Sequence, residues 1–109
     1  MTQQWTPVCE EAVLVPDTGI CAKVGDQHVA VFKAAADGEV YAVSNVCPFG
    51  NASVLSRGLL GDANGEIYVA SPLLKQRFRL KDGICLDDES VTLATYPVRV
   101  ENGKIEVGA

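Results

Sequence analysis

From residue 19 onward the chain shows short apolar runs interrupted by turn residues. ICAKV and QHVAVFK flank Gly25-Asp26, and Ala36-Asp37-Gly38 leads into EVYAVSN. Runs rich in β-branched residues, separated by one or two turn formers, predict hairpins, so these three form a meander. Residues 75–81 alternate strictly, with Gln76, Phe78 and Leu80 on one face and Lys75, Arg77, Arg79 and Lys81 on the other. That is the signature of a half-buried strand. The tail, TYPVRVENGKIEVGA, predicts two more strands joined by Asn102-Gly103, since both residues accept the positive φ of a tight hairpin turn. Residues 5–9 are β-prone with Trp5 as a core anchor, residues 10–18 an irregular connection, and residues 61–65 a further turn. No stretch sustains a 3.6-residue apolar period and no internal repeat is present. Together these imply one all-β domain over 1–109, a small barrel or sandwich.

Composition narrows the function classes. A chain of 109 residues that is 48% hydrophobic and 21% charged can bury a core without metals or disulfides to staple it. The net charge of −5 repels phosphate, which argues against nucleic-acid and anionic-membrane partners. No apolar run approaches the ~20 residues of a membrane span. The N-terminus lacks the basic head and apolar core of a signal peptide, so the expected localisation is cytoplasmic. Four cysteines (Cys9, Cys21, Cys47 and Cys85) share no CxxC spacing. In that compartment each is expected to be a small buried residue with a free thiol. The one histidine, His28, lies beside the Gly25-Asp26 turn and reads as solvent-exposed rather than as a ligand.

Two stretches stand apart within residues 44–80. EVYAV leads into Cys47-Pro48-Phe49-Gly50, and EIYVA leads into Ser71-Pro72-Leu73-Leu74, so two strands each deliver a Pro-containing loop. The order strand, N-x-C-P-x-G, L-S-x-G, strand, x-P-x-x, F-x-L, D-G resembles the Rieske domain. In that family the loops carry C-x-H and C-x-x-H and hold a 2Fe-2S cluster, with thiolates on one iron and imidazoles on the other. Cys47 stands at the first cysteine position. Phe49 replaces the first histidine, Ser71 the second cysteine and Leu74 the second histidine. Phe and Leu offer no lone pair, and a serine oxygen is a poor ligand for a soft cluster. The expectation is a Rieske-like fold that has lost its cluster, with Phe49 and Leu74 closing the loops by apolar packing, about 1.5–3 kcal/mol each if fully buried.

The motifs Ser44-Asn45-x-x-Pro48-Phe49, Val54-Leu55-Ser56-Arg57-Gly58 and Ala70-Ser71-Pro72-Leu73-x-Lys75-Gln76-Arg77-Phe78-Arg79-Leu80 resemble the small-subunit family of the assimilatory NAD(P)H-dependent nitrite reductases. That resemblance implies an accessory chain with no cofactor or catalytic residue of its own. It also implies a large-subunit partner carrying flavin (FAD), a 4Fe-4S centre and sirohaem, which reduces nitrite to ammonium. Charge placement bears on the partner. Residues 44–81 hold five basic and two acidic residues, a balance of +3, leaving −8 in the remainder of a chain whose total is −5. Arg57, Lys75, Arg77, Arg79 and Lys81 are either a solvated strand surface facing Asp87, Asp88 and Glu89 or a docking surface for the large subunit. Two other classes stay open: a thiol redox protein using Cys47, and a free-standing β binding module. An electron-carrying ferredoxin fails on its ligands.

Overall fold

The computed structural model describes residues 4–108 apart from 36, 50, 51, 64, 73 and 74. Ten strands are described: β1 (Trp5–Glu10), β2 (Gly19–Val24), β3 (Gln27–Lys33), β4 (Val40–Ser44), β5 (Leu59–Ala63), β6 (Glu66–Ala70), β7 (Arg77–Arg79), β8 (Thr95–Tyr96), β9 (Val98–Glu101) and β10 (Lys104–Gly108). They form three antiparallel sheets in the orders β1-β10-β9, β2-β3-β4-β8 and β5-β6-β7.

The turns follow from the residues at their tips. Asn102 and Gly103 both have positive φ (52° and 76°), the type I′ pattern, and bring Glu101 opposite Lys104. At the β2–β3 hairpin Gly25 has positive φ (60°) and Asp26 does not, the pattern of a type II′ turn. β1 carries an irregularity in register between Pro7 and Cys9, a position where a residue without an N–H is tolerated.

β3 organises the interior, because it is buried on both faces. Val29 and Val31 point into a core with Leu14, Val24, Ala42, Ile105 and Val107, between the β2-β3-β4-β8 and β1-β10-β9 sheets. Ala30 and Phe32 point the other way, into a second core with Val43, Cys47, Leu55, Val69, Phe78, Leu80, Cys85 and Leu93. Period-two alternation thus feeds two cores rather than one core and solvent. β4 repeats the division, with Ala42 in the first core and Val43 in the second. The second core is the floor on which the two loops sit.

Four expectations need correction. Trp5 is half-buried at the sheet edge, with the Arg99 guanidinium 4.4 Å from its ring centroid, because the first core is filled by aliphatic residues. Residues 61–65 are not simply a turn, since β5 runs through Ala63 and pairs with β6 from Leu59↔Ala70 to Ala63↔Glu66. The strand expected over 75–81 is confined to Arg77–Arg79: Lys75 takes positive φ (63°) in the loop, and Lys81 lies in the turn beyond Leu80. Finally, Cys21 is exposed on β2, and Cys9 is half-buried with its thiol pushed up by burial. Cys47 and Cys85 are buried as expected, and all four are free thiols.

Candidate functional site

The first loop leaves β4 at Ser44, and one buried side chain holds both its ends. The Asn45 Nδ2 group donates to Ser53 Oγ (2.7 Å) and Cys21 Sγ (3.3 Å), while its Oδ1 accepts from the Ser56 backbone N–H (2.6 Å). Its backbone adds three bonds: its N–H donates to the His28 carbonyl (2.8 Å), and its carbonyl accepts from Val54 and Leu55 (2.9 and 3.0 Å). Asn45 therefore ties the outgoing strand, the returning chain and the short 3-10 turn at Leu55–Arg57 to β2 and β3. His28 is exposed as expected, with Nδ1 3.0 Å from Ser53 Oγ.

Gly58, which ends that turn, has ordinary extended geometry; what it provides is space. A Cβ there would collide with the Ala70 carbonyl and come within 2.7 Å of Val69 Cγ2, so β6 can pass this close only over a glycine. The sequence L-S-R-G thus sets the distance between the two loops.

Inside the loops, Cys47 is fully buried among the apolar residues of the second core, and its N–H donates to the Ala52 carbonyl (2.9 Å). That leaves a Cys47-based redox chemistry without an accessible thiol. Phe49 packs on the same core, with its ring centroid 6.0 Å from that of Phe78 and the planes tilted by 46°. It remains half-buried, so it contributes less than a fully buried ring. Ser71 is buried; its N–H donates to the Gln76 carbonyl (2.8 Å) and its carbonyl accepts from Lys75 N–H (3.0 Å). Leu74 lies outside the described residues. Cys47, Phe49 and Ser71 do not fit a 2Fe-2S group: one soft donor is enclosed in apolar packing, one hard oxygen is buried, and a phenyl ring packed on Phe78 occupies a ligand position.

The basic residues divide into two sets. Arg77 is engaged by Asp87 through its backbone N–H (2.9 Å), Nε (3.3 Å) and Nη2 (2.9 Å), and lies 5.6 Å from the Tyr68 ring centroid. Arg79 bonds Asp82 through Nε (2.9 Å) and Nη2, with Glu66 3.8 Å away. Hydrogen bonds from these guanidiniums hold the Asp87 and Asp82 carboxyls below the usual carboxylate range. The acidic run Asp87-Asp88-Glu89 thus meets the stripe at Asp87, and Arg77 and Arg79 are largely neutralised. Arg57, Lys75 and Lys81, in contrast, are exposed and make no ion pair among the described residues.

Arg57 and Lys75 share one place. With Leu59, Ala70, Ser71 and Pro72 they line a cavity of about 480 Å³ between the end of the first loop and the second. Leu59 is 78% exposed, while its neighbour Leu60 packs against the second core. The sequence alone does not single out Leu59, because which of two adjacent leucines faces outward depends on the register of β5, whose last three residues are among those expected as a turn. Nor does it single out the organising role of Asn45, although the asparagine stands in the first motif.

The whole of this arrangement has known counterparts. Residues 4–108 match the family model of the Rieske-like [2Fe-2S] domain. The nitrite reductase (NADH) small subunit of Escherichia coli K12 is 46% identical over 104 residues, 95% of this chain and 96% of that protein. The NMR structure of the E. coli protein NirD superposes with a TM-score of 0.91 at 44% identity, covering 99% and 98% of the two chains. In Klebsiella oxytoca, the nitrite reductase [NAD(P)H] large subunit contains a 44% identical segment that covers 98% of this chain and 11% of that protein. From end to end the chain belongs to the Rieske-like domain family and, within it, to the small subunits of NADH-dependent nitrite reductase.

Proposed function

We propose that this chain is the non-catalytic accessory subunit of a cytoplasmic NAD(P)H-dependent nitrite reductase and works bound to a large subunit that holds the flavin, 4Fe-4S and sirohaem groups. The observation that carries the reading is the 46% identity over 95% of the chain to a nitrite reductase small subunit. The large-subunit relative that includes the same segment in its own chain supports the partner. The donor set at Cys47, Phe49 and Ser71 supports a chain that holds no cluster, so electrons would pass through the large subunit alone.

The test is co-expression of the large subunit with and without this chain, followed by nitrite-dependent NADH oxidation. The expected result is a higher rate, or a longer-lived activity, with the chain present. Indistinguishable rates and lifetimes overturn the accessory role, and stoichiometric iron in the chain purified alone overturns the cluster-free part.

A further inference from the structure

We infer that the cavity rim formed by Arg57, Leu59, Pro72 and Lys75 is the docking surface for the large subunit, and that its occupant is a carboxylate-bearing segment of that subunit with an aliphatic side chain beside the acid. This inference rests on the accessory-subunit reading.

Two observations converge on the rim, and a third bears on the partner. The first is electrostatic: of the four arginines, Arg77, Arg79 and Arg99 each have a carboxylate partner, and Arg57 has none among the described residues. Among the described residues lining the cavity that Arg57 shares with Lys75, none is acidic. In a chain of net charge −5 this is a local positive site, and a carboxylate is the complementary group. Second, Leu59 is the most exposed of the large hydrophobic residues described, and Pro72 beside it is also exposed. An apolar centre flanked by arginine and lysine is the composition of a contact surface rather than of a small-anion site. Third, in the Klebsiella oxytoca relative the matching segment is part of the large-subunit chain itself, so the fold there is tethered to the rest of that subunit. A symmetric rim-to-rim contact between two copies of this chain is disfavoured, because two cationic rims repel each other.

The measurement is the affinity of the full chain for the intact large subunit at two ionic strengths. Arg57→Glu with Lys75→Glu is expected to weaken binding at least about tenfold and to reduce its salt dependence, and Leu59→Ser alone to weaken it about threefold or more. Lys23→Glu with Lys104→Glu makes the same charge change at residues that do not line the cavity; it is expected to stay within about twofold of wild type. Unchanged thermal unfolding confirms that each variant is folded. Binding by both rim variants within about twofold of wild type overturns the docking surface while leaving the accessory role intact. An equal loss in the Lys23/Lys104 control overturns it as well, since the effect is then one of net charge. A wild-type chain that does not bind the large subunit overturns the accessory reading and the docking surface with it.

Discussion

The underside of the two loops and their outer rim are built from neighbouring residues to opposite ends. On the underside Asn45 uses both its amide and its carbonyl and Phe49 packs on the floor made by Phe78, and on the opposite face of β7 Arg77 meets Asp87. On the rim, Arg57 and Lys75 have no carboxylate partner among the described residues and Leu59 is 78% exposed. Residues that complete a fold satisfy one another inside the chain, whereas residues that complete an assembly leave that chemistry open. The division cuts across the basic stripe of the sequence, because Arg77 and Arg79 belong to the fold while Arg57 and Lys75 are available to a partner.

Underside substitutions are expected to act on stability and rim substitutions on association. The largest effect is expected for Phe78→Ala, which empties a fully buried site beneath both loops and lowers unfolding free energy by about 3–5 kcal/mol in denaturant titration. Asn45→Ala comes next. It strands the Ser56 N–H and removes the link to Ser53, for a loss of about 2–3 kcal/mol, with amide exchange accelerated first over residues 53–57. Gly58→Ala is expected to cost about 1–3 kcal/mol by pushing the 3-10 turn away from β6, seen as a drop in Tm.

Acid pH supplies a smaller test. Asp82 and Asp87 titrate below their ordinary value of 3.8 in the folded chain, so their contribution is complete above that value and is lost as pH falls through the lower folded values. Arg77→Gln should therefore lower Tm slightly at neutral pH, and its difference from wild type should shrink in strong acid, where the contact with Tyr68 remains. The smallest stability effects are expected at the rim, where Arg57→Ala and Leu59→Ser should each stay within about 0.5 kcal/mol of wild type. A destabilisation there as large as that of Asn45→Ala would erase the distinction between the two regions.

The sequence by itself determined the β2–β3–β4 meander, the C-terminal hairpin and the departure from the cluster-binding pattern at Phe49, Ser71 and Leu74, three of the four ligand positions. All are local properties: Asn102-Gly103 and Gly25-Asp26 set their turns through backbone φ, and Phe49 lacks a lone pair in any fold. The motifs of residues 44–80 carried the family as well. The tertiary structure alone decided what the charges and the leucines do. Whether Arg77 or Arg57 is free depends on Asp87 arriving ten residues later to bond Arg77, and on no carboxylate arriving at Arg57 among the described residues. Which of Leu59 and Leu60 faces out depends on β5 pairing with β6, an arrangement made possible by the missing Cβ of Gly58. The double burial of β3 has a local signal in the continuous apolar run Val29-Ala30-Val31-Phe32, but which of these residues meets which core depends on the packing of the third sheet.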